Sequence, residues 1–418
     1  MVKSNKNKKM SGKISARGGS AFGGKTKIIS VILALAFSVS GQAFAAISTW
    51  TDVSGNNAKK GLISGQKGAE TNITASESGK IYAAFQDKRE QVFAKEFDGT
   101  SWSNLPGSLN TDYIARNGDK PALAAKENDL YIAYKDLDAG RKAKVKRWNG
   151  STWSDLADTN HPQGYISDLG GFEPVLCFDK SKEYLYAAFR DEASGEKIKV
   201  MKWNDISGWN DVSDANNPGG LISIGVASEA DIKASKQNDD IFVAFEDIAN
   251  DGKIRVKKWD GSNWSELADA YYPGGVVSSI AGYSPSIDTD ESGNLYLVYT
   301  GKKSRNTYIH KWNGSSWEDI GGGMAVHGTT IESTIAIDGR GYLYLAYSQK
   351  TKIGWRVRVK VWADSQWVEI KDGKSQNISK RKGKGDPSLA VSGNKLYMSF
   401  TDARNRNKVR VKMLNFQP

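Results

Sequence analysis

The sequence predicts an all-β fold, a single seven-bladed β-propeller over residues 46–418 with four strands in each blade. Three observations support this prediction. A Trp recurs at a nearly constant spacing, each repeat shows the alternating pattern of β-strands, and the chain ends in an incomplete repeat whose missing strand stands near the N-terminus. Each observation accounts for one part of the ring.

The repeat is marked by a Trp that follows a tight turn. Successive markers are 52, 51, 56, 55, 53 and 50 positions apart, and they are Trp50, Trp102, Trp153, Trp209, Trp264, Trp317 and Trp367. The turn often contains Asn-Gly or Asp-Gly, as in the segment WNGSTW at 148–153. These dipeptides favour a type I′ turn, since both central residues need positive φ. We expect the turn to join the third and fourth strands, and the flanking Trp side chains to fill the gap between blades.

Each repeat contains four strand-like segments in a fixed order. A short segment such as PALAA precedes an aromatic strand such as LYIAYKD, an alternating basic and apolar strand such as KIRVKKW, and the strand that the marker Trp opens. The period of two and the β-branched and aromatic residues are typical of strands. The last repeat ends in KVRVKMLNFQP after three strands, and AISTWTDV near the N-terminus supplies the fourth. We expect this N-terminal strand to complete the seventh blade and close the ring.

Residues 1–45 have the pattern of a Sec-type signal peptide with cleavage near Ala45. They hold eight Lys and Arg, no acid, the apolar run IISVILALAFSV and an Ala43-x-Ala45 motif. Without them the formal charge of +11 falls to about +3, so net charge predicts no specific nucleic-acid partner. The apolar run is too short to span a bilayer comfortably. We therefore expect a bacterial protein that is secreted or periplasmic, monomeric and without a membrane span.

The tandem LYxAY and KWNGSSW segments resemble a group of exported bacterial repeat proteins that are regarded as β-propellers and mostly have no assigned activity. This resemblance covers essentially all of residues 46–418. It implies the fold and leaves the function open.

The turn is also distantly similar to two other propeller hairpins. It shares Gly150, Thr152 and Trp153 with the Asp box of sialidase-type propellers, but Trp148 stands at the Asp position, so sialidase activity is not implied. The segment WDGSNW at 259–264 is similar to the hairpin of fucose-lectin propellers, although Lys257 and Lys258 precede it where those lectins place a Glu. The lectin resemblance is therefore one of shape.

No residue pattern predicts a catalytic or metal site. The three His residues lie in different repeats without metal-ligand spacing, and Cys177 falls on a first strand, which predicts an inert buried thiol. The segment DTDESGN at 288–294 is similar to a calcium loop but lacks the late bidentate carboxylate, and this favours a plain hairpin turn. We expect no catalytic residue, no metal and no cofactor.

Two recurring polar patterns predict structural roles. An Asp ends the second strand in five repeats, which indicates a turn cap; these residues are Asp87, Asp136, Asp191, Asp247 and Asp402. Basic residues crowd the third strands, as at Lys253, Arg255 and Lys257. We interpret them as exposed positions whose aliphatic stems cover apolar neighbours, with a positive belt round the ring as the alternative.

The long connections between blades are predicted to carry a binding site. Segments such as ADAYYPGGVVSSIAGYSP run between the fourth strand of one blade and the first of the next, and in a propeller we expect all seven to gather on one face. A shared PGG-[LV]-[IV]-S core sets the loop shape, while aromatic residues vary from blade to blade. The predicted ligand-binding residues are Tyr165, Phe172, Tyr271, Tyr272 and Tyr283 for stacking, and Lys380, Arg381, Lys382 and Lys384 for an anionic group.

Taken together, these patterns favour an exported, non-catalytic recognition module that binds a glycan or another surface macromolecule through its loop-rich face. Two alternatives stay open. One is a glycan-cleaving hydrolase or lyase that uses loop acids such as Asp168 or Glu173. The other is a structural or protein-partner component of a cell-envelope assembly, in which the same face would dock an envelope protein.

Overall fold

The structure, a computed structural model, describes residues 50–55, 58–107, 112–379 and 385–416. Over these residues the chain forms seven antiparallel sheets of four strands each. The first strands of consecutive sheets contact one another, and the first strand of blade 1 also contacts that of blade 7, so the sheets close into a ring. The seven-bladed propeller is therefore confirmed, while the predicted signal peptide lies outside the described residues.

The strands of each blade follow one another from the channel outwards. Blades 1 to 4 contain β2 (Gly68–Ala75), β3 (Ile81–Asp87), β4 (Val92–Phe97), β5 (Trp102–Asn104); β6 (Gly118–Lys126), β7 (Asp129–Asp136), β8 (Lys142–Trp148), β9 (Trp153–Asp155); β10 (Gly171–Phe178), β11 (Leu185–Asp191), β12 (Lys197–Asn204), β13 (Gly208–Asp211); and β14 (Ala227–Ala234), β15 (Ile241–Asp247), β16 (Lys253–Trp259), β17 (Trp264–Glu266).

Blades 5 to 7 complete the ring. They contain β18 (Gly282–Thr289), β19 (Leu295–Gly301), β20 (Thr307–Trp312), β21 (Trp317–Val326); β22 (Thr330–Ile337), β23 (Leu343–Thr351), β24 (Gly354–Ala363), β25 (Gln366–Ile370); and β26 (Ser388–Ser392), β27 (Lys395–Asp402), β28 (Lys408–Asn415), β1 (Thr51–Asp52). Short 3-10 helices lie in the connections at Lys59–Gly61, Pro162–Gly164, Glu192–Ser194, Pro218–Gly220, Ile248–Asn250, Pro273–Gly275 and Ala403–Asn405. No helix in the described ranges combines the length and apolar character that a membrane span requires.

The N-terminal strand closes the ring, as predicted. β1 pairs antiparallel with β28, with Thr51 opposite Met413 and Asp52 opposite Lys412. Trp50, which precedes β1, is 3% exposed and packs into the apolar cluster that blades 6 and 7 share. This pairing covers the outer edge of blade 7, which would otherwise present unpaired backbone groups.

The Trp pairs fill the space between blades, as predicted. Trp148 and Trp153, with ring centroids 5.6 Å apart, are buried in a cluster with Leu105 of the preceding blade. The indole N–H of Trp153 donates to the Leu105 carbonyl at 3.4 Å. The same bond to the preceding blade, at 2.7 to 2.9 Å, is made by Trp102, Trp209, Trp264 and Trp317. These five marker Trp residues therefore contribute both apolar packing and a directional bond across a blade boundary. The indole N–H groups of Trp50 and Trp367 have no hydrogen-bond partner among the described residues.

The ring has two different faces. At one end, which we call the loop face, the first strand of each blade begins and the second turns into the third, as the register of Gly118 opposite Asp136 and Asp136 opposite Lys142 shows. The connections between blades also return to this end before each first strand. At the opposite end, the turn face, lie the hairpins between first and second strands and the Trp turns, as in Trp148 opposite Trp153.

The shared PGG-type core sets the loop shape, as predicted. The Ser that follows it accepts a hydrogen bond from a third-strand N–H, at 3.0 Å for Ser167 and 2.8 Å for Ser278. The second Gly of this core is required for two reasons. Gly220 has a φ of 70°, and a Cβ at this position would stand 2.3 Å from the Val200 carbonyl oxygen. The expectation of seven long loops is wrong after blade 5, where only residues 327–329 separate β21 from β22. There the chain continues the long strand β21 instead.

The basic residues of the third strands are not exposed, contrary to our interpretation, and they form no positive belt. Arg255 and Lys257 are buried. The Arg255 Nε lies 2.9 Å from an Asp247 oxygen, and the Lys257 Nζ lies 3.4 Å from Glu266 on the fourth strand. The physical reason is that the following loop folds back along the third strand, as in the bridge between Arg255 and Val276. Acids of the same blade neutralise the covered charges.

Candidate functional site at the loop face

Seven residues surround the mouth of the central channel on the loop face, one from the start of the first strand of each blade. We call them the mouth ring, and they are Glu70, Lys120, Glu173, Glu229, Ser284, Glu332 and Asp386. All have left-handed backbone conformations, with φ between 36° and 54°. In six blades the pairing register shifts here, so each strand has a β-bulge. Bulges therefore present six of these side chains at equivalent positions round one axis, and Asp386 lies at the corresponding position just before β26.

The bulge also explains why a Pro often follows the ring member. Four of the seven ring members precede a Pro, namely Pro121, Pro174, Pro285 and Pro387. A Pro cannot donate to the strand ladder and is tolerated at bulges, where no ladder bond is lost. The following first-strand residues line the channel, and the mouth forms an open cavity of about 330 Å³.

Charged groups of the mouth ring are tied to one another across blades. The Lys120 Nζ lies 3.0 Å from a Glu70 oxygen. A Glu173 oxygen accepts the backbone N–H of Glu229 at 3.1 Å, and Glu229 in turn accepts the backbone N–H of Ser284. Carboxylates at this position thus reach sideways and hold the next bulge in place.

The surroundings within the mouth ring raise the pKa values of two of its members, Lys120 and Glu332. Burial disfavours the charge on Lys120, but the Glu70 carboxylate, helped by Glu173 and Glu332, outweighs this and raises the pKa of Lys120 above its usual value. Enclosure by the ring raises the pKa of Glu332 to about 7, and the nearby Asp386 adds to the rise while Lys120 opposes it. Near neutral pH the Glu332 carboxyl is therefore partly protonated.

Below the mouth, the channel wall uses polar side chains to join blades. An Asp231 oxygen accepts the N–H of Ile287 at 2.8 Å, and an Asp288 oxygen accepts the N–H of Ile337 at 2.7 Å. Asp290 instead caps the hairpin by accepting N–H groups of its own turn. Since Asp288 and Asp290 serve different structures, the segment 288–294 is a capped hairpin, as the sequence favoured.

Two of the predicted aromatic residues lie near the mouth. Tyr283 lines the cavity, and its hydroxyl accepts from an Arg305 guanidinium N–H at 2.9 Å. Phe172 directly precedes the ring member Glu173, and its ring lies under the Arg190 guanidinium at 4.5 Å from the centroid. Both side chains are half-buried.

The other predicted aromatic residues lie further out and on separate blades. Tyr165 is half-buried, with its hydroxyl donating to Asp136 at 2.9 Å. Tyr272 packs against His310, with ring centroids 5.7 Å apart. Tyr271 is 87% exposed. The structure does not bring the five aromatic residues together, and Lys380, Arg381, Lys382 and Lys384 lie outside the described residues.

An exposed apolar area extends over the loop face of blades 2 to 4. It contains Leu169 before blade 3, Ile224 and Val226 before blade 4, and Ile248 on the hairpin after β15. The Val226 carbonyl accepts the N–H of Ala249, which fixes the loop against that hairpin. We call this area, together with Tyr271, the apolar sector.

The buried Cys and the recurring second-strand Asp residues, which the sequence analysis also singled out, are part of the structural framework. The Cys177 thiol is buried, as predicted, and burial raises its pKa to about 12. Three of the five second-strand Asp residues accept backbone N–H groups of the following turn, as predicted for caps, namely Asp87, Asp136 and Asp402. Asp191 accepts a Ser hydroxyl of its turn and Asp247 binds Arg255. In the described ranges, no group of three or more His, Cys, Asp or Glu has an arrangement that could hold a metal ion.

Sequence reasoning named Glu173 but missed the mouth ring as a whole. The available signal was a charged residue before Pro at the start of the first strand, as in Lys120-Pro121, Glu173-Pro174 and Asp386-Pro387. Its members stand about one repeat apart, so no local spacing reveals that they meet.

No protein-family model and no curated protein matches the chain. Solved structures similar to it include the SapL1 lectin in complex with alpha methyl fucoside, with 17% identity, 74% of this chain and 97% of that chain covered, and a TM-score of 0.48. A polysaccharide lyase of family PL25, an ulvan lyase, has 14% identity, coverage of 67% and 79%, and a TM-score of 0.44. The lectin of Aleuria aurantia has 14% identity, coverage of 73% and 95%, and a TM-score of 0.42. Likeness at this level carries no argument about ligand or activity, and the assignment of the chain as a seven-bladed β-propeller rests on its own sheets.

Proposed function

We propose that this protein is an exported, non-catalytic recognition module that binds a glycan or another surface macromolecule through its loop face. The observation that carries the proposal is the exposure, on that face, of apolar and aromatic side chains that the loops do not need for their own structure. Binding surfaces of this kind combine apolar contact with a few fixed polar groups, and here the mouth ring supplies the polar groups beside the apolar sector.

Tyr271 shows most clearly that the exposed aromatic is dispensable for the loop. In three successive loops an Asp accepts the backbone N–H two residues later, and the residue at that position is Asn160, Asn216 or Tyr271, with N–H to oxygen distances of 2.8 to 2.9 Å. The same turn therefore forms with Asn. An aromatic ring that is 87% exposed instead offers a flat apolar surface to a ligand, such as the C–H face of a sugar ring.

The test is binding of the mature chain to a glycan array and to envelope extract, with Tyr271→Ala as the informative variant. Loss of one stacking contact should weaken binding to the best glycan about tenfold, equivalent to about 1.4 kcal/mol. The control is Ile206→Ala, because Ile206 is 97% exposed but lies on the turn face. Equal binding by the parent and Tyr271→Ala would contradict this placement of the site. Capture of a single envelope protein without any glycan binding would favour the protein-partner alternative.

Tyr272→Ala tests a different question. Because Tyr272 packs on His310 and on the apolar cluster between blades 4 and 5, its removal should lower the melting temperature as well as any binding. We therefore expect Tyr271→Ala to separate binding from stability and Tyr272→Ala to affect both.

A second candidate function is supported by the mouth ring. A carboxyl group with a pKa of about 7, as at Glu332, suits a general acid, and other carboxylates such as Glu173 and Asp386 share its cavity. This is the arrangement that a glycan-cleaving enzyme would use, whereas Asp168 lies on the exposed loop outside the ring. Release of reducing ends from a polysaccharide panel by the parent, and its loss in Glu332→Gln, would support the enzyme. Binding without release would support the recognition module.

A further inference from the structure

The hairpins between the second and third strands divide the loop face by charge. In blades 5, 6 and 7 their connecting residues read KKSRN at 302–306, KTKIG at 350–354 and ARNRN at 403–407, without an acid. In blades 2, 3 and 4 the corresponding segments are LDAGR at 137–141, EASGE at 192–196 and IANDG at 248–252, with at least one acid each. In blade 1 the segment KREQ at 88–91 has two basic residues and one acid. The net positive charge on this rim is therefore greatest on blades 5, 6 and 7.

The fold does not require these basic residues. The positions of Arg404 and Arg406 in blade 7 are occupied in blade 3 by Ala193 and Gly195, within the same 3-10 turn. Arg406 has φ of 60°, a conformation that Gly195 adopts at 75° without a steric cost. Arg305 in blade 5 has φ of 58°. Basic side chains thus stand where smaller residues would build the hairpin at lower energy.

The basic side chains are also available to a ligand. All seven basic residues of these hairpins are exposed, and we call six of them, two on each hairpin, the basic arc: Lys303, Arg305, Lys350, Lys352, Arg404 and Arg406. None has an ion-pair partner in the part of the chain that the structure describes, whereas the neighbouring Lys302 is paired with Glu246. Arg305 is positioned by Tyr283 at the edge of the mouth.

We infer that the basic arc binds an acidic polysaccharide, one with repeated carboxylate or sulfate groups, an inference that rests on the proposed function. A single exposed ion pair contributes about 0–1 kcal/mol, so a small anion would bind weakly. A polymer that contacts several hairpins at once gains affinity because its later contacts are intramolecular. The carboxylates of the mouth ring repel such a chain from the channel, which leaves the rim as its path.

The surroundings favour a polysaccharide over a nucleic acid. The three hairpins expose Ile353 but no aromatic side chain on which bases could stack. Each hairpin has at most five residues between its two strands. None is therefore long enough to enter a groove of a nucleic acid and contact the base edges. What the arc offers is spaced positive charge, which suits a polymer recognised by its charge spacing.

The test compares two variants that lose the same charge. The arc variant carries Lys350→Gln, Lys352→Gln, Arg404→Gln and Arg406→Gln, and the control carries Lys180→Gln, Lys202→Gln, Lys311→Gln and Lys395→Gln on the turn face. Binding to polygalacturonate, to dextran sulfate and to neutral dextran is measured by affinity electrophoresis in 50 and 300 mM NaCl. We expect the parent to bind the acidic polymers in a salt-dependent manner. The arc variant should lose at least tenfold in affinity and the control less than threefold.

Three results would overturn the inference: equal losses in the two variants, no acidic-polymer binding by the parent, or stronger binding to single-stranded DNA of equal charge than to polygalacturonate. If the parent bound only neutral glycans on the array, the arc inference would fail while the proposed function stood. If neither a glycan nor another macromolecule from the envelope extract bound, both would fail.

Discussion

The two halves of the loop face differ in chemistry although they share one backbone design. Blades 2 to 4 present the apolar sector, with Ile224 79% exposed and acids on the hairpins. Blades 5 to 7 present the basic arc on hairpins that leave their second strands in the same way. A marker Trp packs in each of the seven apolar clusters, and a loop Ser accepts a third-strand N–H in blades 2, 3, 4, 6 and 7. The comparison teaches that the repeat fixes where side chains stand. The blades differ chemically at the few exposed side chains that do not hold the ring together.

The largest expected effect comes from opening the ring, because both halves are held in one frame only while the ring is closed. Deleting residues 46–55 removes β1 and Trp50, and we expect the mature chain to lose its single cooperative melting transition. Trp50→Ala should cost about 3–5 kcal/mol of unfolding free energy, since its side chain is almost fully buried. Urea unfolding measures this, with Ser154→Ala, an exposed position on the outer strand β9, as control. A truncated chain that melts like the parent would disprove closure by β1.

An intermediate effect is expected at the mouth ring, which lies between the two halves. The pKa of Glu332 is raised to about 7 from an ordinary 4.5, so the folded state keeps a proton that the unfolded chain has released in this interval. The free energy of unfolding should therefore fall as pH rises from about 4.5 to about 7. Glu332→Gln should remove the contribution of this residue to the slope and stabilise the protein at pH 8 by about 1 kcal/mol, a value reduced by solvent screening in the open mouth.

Chemical unfolding from pH 4.5 to 8 tests this prediction. The matched control is Glu291→Gln, an acid on the turn face that should leave the slope unchanged. An unchanged slope in Glu332→Gln would show that the ring does not hold the proton at this residue.

The smallest effect is expected from exchanging one hairpin residue between blade 7 and blade 3. Arg406→Gly gives the blade 7 hairpin the residue that blade 3 has at Gly195, and relief of the left-handed backbone should stabilise the fold by about 0.5 kcal/mol. The reverse change, Gly195→Arg, should destabilise it by about 1 kcal/mol. Urea midpoints measure both changes, and acidic-polymer binding should weaken in the first. Destabilisation by Arg406→Gly would show that the arginine supports the hairpin.

Much of the fold could be predicted from sequence because its signals are local and repeated. The marker Trp and its turn define each blade, and the lone AISTWTDV strand predicts closure. The long loop expected after blade 5 is absent because IGGGMAV at 320–326 continues a strand through three glycines with positive φ. In the sequence alone, three successive glycines indicate a turn. Burial of Arg255 and Lys257 was missed because it depends on a loop that folds back over the strand.

The candidate site was harder to predict, since the ring assembles it from residues one repeat apart. Neither the mouth ring nor the basic arc has a local motif, because each blade contributes only one or two residues. The aromatic residues were identified as variable, but Tyr271 is exposed while the other four are half-buried, and sequence contains no direct measure of exposure. The prediction for Lys380 to Lys384 stays a prediction.

Closure by β1 also has a consequence for the order of folding. The Thr51 hydroxyl donates to the Met413 carbonyl, a pair separated by 362 positions in the chain. Contacts between such distant residues form slowly, because the entropy of closing the intervening chain is lost before they contribute. The first strand can pair only after β28 has formed, so the ring remains an open arc of sheets until then. Formation of blade 7 is thus the event that converts a row of blades into a closed ring.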